Sequence, residues 1–331
     1  MKSAVLAFTE EGRALAARVR EFFPDHLWEC WPEKDCTAAE FVGRVFPECE
    51  SMVFVGAAGI AVRLVSPLIR SKDRDPAVLV VDEKGDFVIP ILSGHLGGAN
   101  ELARTLADCL GATPVITTGT DVNGRFAVDD WSRRAGLRVI STREILPVSA
   151  AVLKESPVGF YSDFPVEGPL PEELSTGAGP EVGISVSLDG KAAPYPRTLR
   201  LVPRIVFVGA GCRRDTDPGR FEKTVLSCLE AAGVAVEAVR VLASVDLKKN
   251  ELCMQEFCRK YRLDFQVFSP EQLSGVPGDF PESPLVRRVT GTGNVCERSA
   301  ILAGGERFLL RKQARDGITV AVAIRNWSCC F

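Results

Sequence analysis

Short apolar runs alternate with amphipathic stretches over the first 136 residues of the chain. The apolar runs have the length of buried strands, and the stretches between them carry apolar residues at helical spacing. Strands that alternate with helices are typical of an α/β domain with a largely parallel sheet. The predicted strands are 4–8, 51–55, 77–81 and 87–92, and the predicted helices are 12–22, 38–46, 60–69, 99–110 and 124–135.

The alternation of apolar runs and amphipathic stretches weakens between residues 137 and 203 and resumes at Arg204. The weak stretch holds many of the prolines, with glycine and acidic residues between them, which predicts a small connecting module with short strands. Alternation after Arg204 predicts a second α/β domain. We therefore predict two α/β domains with largely parallel sheets, joined by a small Pro- and Gly-rich α+β middle module. The predicted boundaries are 1–136, 137–203 and 204–331.

Composition narrows the classes of function. The chain has 331 residues, 46% of them hydrophobic, and its 40 basic and 43 acidic residues leave a net charge of −3. This charge provides no general attraction to nucleic acid or to an anionic membrane. The first residues lack a charged-then-apolar leader, and charged residues interrupt the later apolar runs short of a membrane span. We expect a soluble cytoplasmic protein.

The 11 cysteines are an odd number and include no C-x-x-C pair. They favour a reducing compartment, and their spacing does not supply the two close pairs typical of a tetrahedral zinc site. We therefore expect no metal held by the protein. The glycine turns at 56–59 and 209–211 lack the G-x-G-x-x-G spacing and a Walker lysine, so we expect no nucleotide cofactor either.

The octapeptide Ser93–Asn100 places His95, one of two histidines, on a glycine-rich turn between a predicted strand and a predicted helix. Backbone N–H groups at the positive end of a helix favour a carboxylate or a developing oxyanion. The alternative is a tight turn in which glycines permit positive φ and His95 only packs. We favour a functional site, because small residues around an imidazole leave space that a core would fill.

Other polar residues follow the predicted strands of the first domain. Lys72 precedes one strand, Asp82 follows it, and Asp121 comes after 117–120. Ligands bind at the carboxyl ends of strands in open α/β sheets, where these groups would supply a general base and its orienting partner beside His95. Solvated loops and helix caps are the alternative roles. Nearby arginines, Arg63 among them, suit the carboxylates of a ligand.

In the second domain, residues 290–297 form another small-residue loop that enters a predicted helix, with Cys296 and Glu297 in its first turn. A thiol in that position is more reactive than most, and Glu297 could act as an acid or base. An acidic first turn is also ordinary helix stabilisation. No histidine follows residue 95 to pair with the thiol.

Several short motifs lie in the two outer domains. They are Gly59–Arg63, Lys72 with Asp75–Val78, Val81–Glu83, Leu92–Asn100, Pro114–Thr118 with Thr120–Asp121, Gly209–Arg213, Ala243–Asp246 with Lys248 and Glu251, Val295–Glu297 and Thr319–Ala321. Taken together they resemble the cobalamin-biosynthesis family CbiG, cobalt-precorrin-5A hydrolase. Gly119 stands where the family is expected to have alanine.

The resemblance implies a hydrolase that opens the δ-lactone of cobalt-precorrin-5A and releases acetaldehyde to give cobalt-precorrin-5B, in oxygen-independent cobalamin biosynthesis. Cobalt arrives with the substrate, and no other cofactor is implied. The resemblance leaves a non-catalytic carrier of a cobalt-tetrapyrrole intermediate as the alternative. The expected partners are this substrate, a second copy of the chain in a homodimer and, transiently, neighbouring pathway enzymes; no nucleic acid or membrane is expected.

Local chemistry suggests the residue roles, since lactone hydrolysis needs an activated water and N–H donors for the oxyanion. We expect His95 to activate water and Asp82 or Asp121 to orient it, with Glu297 as a further catalytic candidate. Amides of Gly97 or Gly98 would hold the oxyanion. The expected substrate-binding residues are Arg63, Lys72, Ser93, Gly94, Gly97, Gly98, Asn100, Thr117 and Thr118.

Overall fold

The structure is a computed structural model that describes residues 1–71, 74–177 and 179–331. The chain divides into two compact units. Unit 1 comprises Met1–Arg134 and Ile145–Ser156, and unit 2 comprises Ala135–Glu144 and Pro157–Phe331. The predicted three-part boundaries stay a prediction; residues 145–156 of the expected middle module group with unit 1.

Unit 1 is built on a six-stranded sheet in the order β2-β1-β3-β4-β5-β6. Strands β1 to β4 are parallel, whereas β5 runs antiparallel to β4 and parallel to β6. The strands are β1 Lys2–Ala7, β2 Leu27–Trp31, β3 Ser51–Val55, β4 Ala77–Val81, β5 Phe87–Leu92 and β6 Thr113–Pro114. The helices are α1 Glu10–Phe22, α2 Ala38–Val45, α3 Ala58–Val65, α4 Ala99–Leu110, α5 Gly119–Val122, α6 Val128–Arg134 and α7 Ile145–Leu153.

Helices cover both faces of this sheet. One apolar layer joins α1 and α4 through residues such as Leu15 and Leu106, and the other joins α2 and α3 through Phe41 and Val65. All five residues of β3 and of β4 are buried, which explains why these strands are apolar apart from Ser51 at the start of β3. The side chains of Thr9 and Thr37 cap α1 and α2, and α1 begins two residues before the predicted start at Gly12.

The direction of β5 decides which loops meet. Val78 of β4 lies opposite Leu92 of β5, so the residues after β5 lie at the edge where β4 begins. Gly56 follows β3 and lies at the other edge. The glycine turn at 56–59 and the octapeptide each follow a strand, but they lie at opposite edges of the sheet. A connection of five residues between β4 and β5 is too short for a parallel crossover.

Unit 2 contains two five-stranded sheets and one pair of short strands. The first sheet has the order β10-β8-β11-β12-β7 and the second β15-β14-β13-β17-β16; β9 pairs with β18. The strands are β7 Leu137–Val139, β8 Val158–Ser162, β9 Val166–Glu167, β10 Leu174–Ser175, β11 Val182–Val186, β12 Arg197–Pro203, β13 Val206–Cys212, β14 Val239–Val245, β15 Asp264–Phe268, β16 Arg307–Arg315, β17 Ile318–Ile324 and β18 Cys329–Cys330.

The second sheet of unit 2 carries the larger core. Its strands β13, β14 and β15 are parallel, and the hairpin of β16 and β17 adds antiparallel strands beside β13. Helices α8 and α9 pack over it through Phe221 and Phe257. The helices are α8 Pro218–Ala231, α9 Leu252–Tyr261, α10 Pro270–Ser274, α11 Pro284–Thr290 and α12 Cys296–Leu302. The predicted α/β class with largely parallel sheets is confirmed.

Candidate active site

The octapeptide forms the loop between β5 and α4 in unit 1. Its backbone closes on itself: the amide of Gly98 donates to the carbonyl of His95, and that of Asn100 donates to Gly94. A Cβ atom on Gly97 would lie 2.4 Å from the Cβ of Ser93, which no real contact allows. Glycine at position 97 therefore lets the loop turn tightly enough to present the His95 side chain.

The His95 ring lies between two carboxylates. Its Nε2 is 2.6 Å from Oδ2 of Asp121, and its Nδ1 is 3.0 Å from Oδ1 of Asp129. The three side chains are between 10% and 15% exposed, so water screens their charges only in part. Both ring nitrogens thus face an acceptor, an arrangement that favours the doubly protonated imidazolium.

Asp121 is held by more groups than His95 alone. Its Oδ2 accepts hydrogen bonds from Thr118 Oγ1 at 2.6 Å and Asn100 Nδ2 at 3.1 Å, and its Oδ1 accepts from the Arg104 guanidinium. Asn100 also donates to Thr118. These contacts bring the β6–α5 loop to the octapeptide because β5 and β6 are parallel neighbours that end at one edge.

Charge and hydrogen bonding set the pKa values of this cluster. Burial lowers the pKa of His95, but the hydrogen bonding and charge of Asp129, and then of Asp121, outweigh burial and raise it to about 9 from the usual 6.5. Burial raises the pKa of Asp121, yet hydrogen bonds from Thr118, His95 and Arg104 hold it well below its usual range. At neutral pH the cluster therefore contains an imidazolium and the carboxylate of Asp121.

The raised pKa of His95 makes folding stability depend on pH. The folded state binds the proton more tightly, so the stabilisation is fully present below pH 6.5 and is lost as the pH rises through about 9. After allowance for solvent screening, we expect about 2 kcal/mol. Urea unfolding of the unmodified protein and of His95→Asn measures it: their difference in unfolding free energy should shrink between pH 6 and pH 10. A constant difference would mean that the ring is neutral.

A cavity of about 400 Å³ opens beside the cluster. Its wall includes His95 and Asp129, and Oδ1 of Asp129 accepts no well-aligned hydrogen bond within the described part of the chain. The other residues of the wall are Ile69, Ser71, Asp75, Pro90, Ile91, Leu92, Ser93, Gly94, Leu96, Asn100, Thr117 and Thr118. The expected residues Ser93, Gly94, Asn100, Thr117 and Thr118 are thus brought together with His95.

Other residues expected at the site lie elsewhere. Asp82 accepts hydrogen bonds from the amides of Lys84 and Phe87 in the β4–β5 turn, at the far end of β5 from His95. Arg63 is exposed on α3 and, for the described residues, outside the wall of this cavity. Lys72 falls outside the described ranges. Since β5 reverses direction, the sheet separates Asp82 from the octapeptide.

The expected oxyanion donors are in part occupied. The Gly98 amide is used by the carbonyl of His95, so Gly98 cannot also hold an oxyanion without opening the loop. Gly97 and Gly98 do not contribute to the cavity wall formed by the described residues. Gly98 instead begins α4 as its N-cap residue.

Glu297 belongs to unit 2 and is fully buried. Its Oε2 accepts a hydrogen bond from Asn294 Nδ2 at 2.7 Å, and its Oε1 accepts from the amide of Lys312 at 3.0 Å. These contacts tie the start of α12 to β16. The geometry therefore supports the structural alternative for Glu297 rather than a role as acid or base.

The sequence reasoning missed three residues of the cluster. Asp129 contacts His95 Nδ1, Arg104 pairs with Asp121, and Arg133 Nε donates to the carbonyl of His95 at 3.1 Å. Arg104 faces the loop from the second turn of α4, one turn after Asn100, which its helical register could have indicated. No local pattern distinguishes Asp129 from an ordinary acidic residue in the first turn of a helix.

Unit 2 holds a larger cavity of about 1120 Å³. Arg213 and Lys312 line it and make no side-chain ion pair within the described ranges, whereas Lys248 pairs with Glu251. Its apolar wall includes Val245, Leu247, Leu252, Val286, Val289 and Val295. Such a cavity suits a large, partly apolar ligand with carboxylates.

Comparisons with known proteins agree with these features. The family model described as Cobalamin synthesis G N-terminal matches residues 40–121, and the model described as Cobalamin synthesis G C-terminus matches residues 206–323. The two matches include the His95 loop and much of the wall of the larger cavity. Fold and sites therefore define a protein of cobalamin synthesis.

Relatives that align with nearly the whole chain identify its family. Cobalt-precorrin-5A hydrolase from Salmonella typhimurium is 33% identical over 98% of this chain and 97% of its own. The Priestia megaterium enzyme of that name is 30% identical over 97% and 94%. The chain belongs to the cobalt-precorrin-5A hydrolase family. A cobalamin biosynthesis protein G homolog of known structure from Sulfolobus solfataricus is similar at 23% identity and a TM-score of 0.45, covering 98% of this chain and 96% of its own.

The described helices were also compared with the requirements of a membrane span. None of them is both long enough and apolar enough to cross a bilayer.

Proposed function

We propose that this chain hydrolyses the lactone of cobalt-precorrin-5A at the cavity beside His95. The observation that carries the proposal is the imidazole held between Asp121 and Asp129 at the wall of a 400 Å³ cavity. A charged pair in a cleft, with a strongly shifted pKa, is typical of a group that moves protons in catalysis. We infer the substrate from family membership and the proton transfers from the side chains of His95, Asp121 and Asp129.

The geometry favours different roles from those expected at the outset. A base must have an unprotonated nitrogen, but a pKa of about 9 keeps both ring nitrogens of His95, each beside a carboxylate, protonated at neutral pH. We therefore assign His95 as the acid. Asp129 Oδ1 takes a proton from the attacking water as its oxygen bonds to the lactone carbonyl carbon, and the imidazolium gives a proton to the leaving ring oxygen. A proton then passes from Asp129 to Nδ1, which restores the pair.

The remaining groups position this pair. Asp121, fixed by Thr118, Asn100 and Arg104, orients the ring through Nε2. The hydroxyl freed at the meso carbon then gives its proton to the carboxylate of Asp129 as its oxygen forms the carbonyl of acetaldehyde. The carbon–carbon bond between this carbon and the macrocycle breaks, and its electron pair stays on the macrocycle, which takes up the proton. Hydrolysis transfers no electrons to the protein, so we propose that no organic cofactor is used and that cobalt enters with the substrate.

The larger cavity favours a second function, the binding of a cobalt tetrapyrrole. Its volume of about 1120 Å³ exceeds the usual range for small ligands, and apolar walls suit the faces of a macrocycle. Arg213 and Lys312 line this cavity without an ion pair to any described residue, so their side chains can meet peripheral carboxylates. A protein that used this cavity alone would be a carrier, with no need of His95.

Acetaldehyde distinguishes the enzyme from the carrier. We expect purified protein, mixed with cobalt-precorrin-5A without oxygen, to release acetaldehyde in an amount equal to the substrate, because water alone completes the lactone opening. A coupled alcohol dehydrogenase assay measures the product, and heat-denatured protein is the control. Retention of intact substrate without acetaldehyde would contradict the hydrolase proposal and favour the carrier.

The cellular compartment and the assembly of the protein are also proposals. All 11 cysteines are free thiols, which supports the reducing environment of the cytoplasm. A homodimer and transient contacts with neighbouring pathway enzymes stay predictions, and size-exclusion chromatography with light scattering measures the first of them.

A further inference from the structure

Three potential metal ligands meet at one side of the larger cavity in unit 2. Cys212 ends β13, Glu251 is the N-cap residue of α9, and Cys253 lies in the first turn of that helix. One ligand atom of each lies within 4.8 Å of the others. Cys253 is buried and Cys212 is half-buried, so the cluster is not a chance grouping of surface side chains.

We propose that Cys212, Glu251 and Cys253 bind one divalent ion of the zinc class. The two sulfur atoms are 3.9 Å apart. Two thiolates on a tetrahedral zinc ion, each with a bond of about 2.3 Å, stand about 3.8 Å apart. A disulfide needs a separation of about 2 Å, so the sulfurs would have to approach considerably to form one.

The charges at the site balance when the ion is present. Two thiolates and one carboxylate carry three negative charges, and a divalent ion together with Lys248 carries three positive charges. Lys248 Nζ lies 2.7 Å from Oε2 of Glu251, and from the described residues Oε1 accepts a single long hydrogen bond of 3.4 Å, donated by the amide of Thr216. Lys248 thus orients the carboxylate and leaves Oε1 for the ion.

The fourth coordination position faces the cavity, because Cys212 and Glu251 both line it. Water or a carboxylate oxygen of a bound ligand would fill that position. Three protein ligands with an open fourth position are typical of a reactive rather than a purely structural zinc site, and two thiolates select zinc-class ions over magnesium or calcium. The proposal does not depend on the lactone chemistry at His95.

Metal titration of the full-length protein tests the site. We expect the chelator-treated, reduced protein to bind one Zn²⁺ per chain with a Kd of about 1 µM or tighter, and Co²⁺ in its place to give thiolate-to-cobalt charge-transfer absorption. Cys212→Ala and Glu251→Gln should each weaken Zn²⁺ binding by more than about 100-fold, since each removes a ligand. A competing chromophoric chelator measures the affinities without substrate.

Cys258→Ala is the matched control, because Cys258 is buried in the same helix but is not one of the three ligands. It should bind Zn²⁺ like the unmodified protein, and circular dichroism checks that every variant is folded. Failure of the reduced protein to bind Zn²⁺, or undiminished binding by folded Cys212→Ala, would overturn the site. Formation of a Cys212–Cys253 disulfide in air without Zn²⁺ uptake by the reduced protein would overturn it in favour of a redox pair.

Discussion

His95→Asn is expected to slow acetaldehyde release at pH 7 by about 10²- to 10⁴-fold, the usual contribution of a positioned acid or base. Asparagine can hydrogen-bond to Asp121 or Asp129, but it cannot carry the Nδ1 proton of the imidazolium or transfer it. The substrate Kd should be nearly unchanged, because the ring supplies proton transfer rather than area of contact. Rapid-quench assays of acetaldehyde, with binding followed by visible absorption, measure the two effects separately.

The pH dependence of the rate and two further variants test whether the expected loss comes from proton transfer by His95. An acid with a pKa of about 9 keeps the rate of the unmodified protein level between pH 6.5 and 8 and lowers it above 9. Asp129→Asn should lose a comparable factor, and His26→Asn, at the only other histidine, should lose none. A rate that rises toward pH 9 would restore His95 to the role of base. Near-normal turnover by His95→Asn would remove it from the mechanism.

Periodicity predicted the central strands of unit 1 because their burial is complete. Strands β3 and β4 have no exposed residue, and apart from Ser51 their sequences are apolar. Strand β2 was missed, since it lies at the edge of the sheet and has Glu29 between two tryptophans. The predicted helix 124–135 begins four residues later, at Val128, because Gly124 has positive φ. Local patterns thus predict elements best where both faces are covered.

The candidate site was predicted where it depends on local sequence. His95 and Thr118 lie on loops after two neighbouring strands, Asn100 lies in the first turn of α4, and the glycines around His95 made the loop conspicuous. Asp129 was not predictable, because only folding brings α6 back against the octapeptide. Asp82 was predicted wrongly, since the site depends on strand direction and β5 is antiparallel to β4.

The larger cavity shows a further limit of sequence reasoning. Cys212 and Cys253 are 41 residues apart, so no spacing rule for metal ligands relates them. Parallel pairing of β13 with β14 brings the residues that follow these strands to one edge. Cys212 ends the first strand, and Glu251 begins the helix after the second. The order and direction of the strands bring these ligands together, and composition and residue spacing do not determine that order.

Gly209→Ala is expected to destabilise unit 2 by about 4 kcal/mol or more. Gly209 lies in the middle of β13, where a Cβ atom would stand 1.7 Å from the carbonyl oxygen of Cys296 at the start of α12. That oxygen belongs to backbone and cannot move as a flexible side chain does, so α12 would have to leave the sheet. Urea unfolding followed by circular dichroism measures the loss, and reduced soluble yield would accompany it.

Gly219→Ala is the matched control in the same unit. Gly219 lies in the first turn of α8, and the nearest atom to its Cβ would be Oδ1 of Asp217 at 3.4 Å, an ordinary contact. Alanine favours the helix there by up to about 1 kcal/mol, so this variant should be as stable as the unmodified protein or more so. If Gly209→Ala unfolded within about 1 kcal/mol of the control, α12 could not pack directly on β13. Cys296 and Val295 would then be misplaced in the wall of the larger cavity, because α12 fixes their positions.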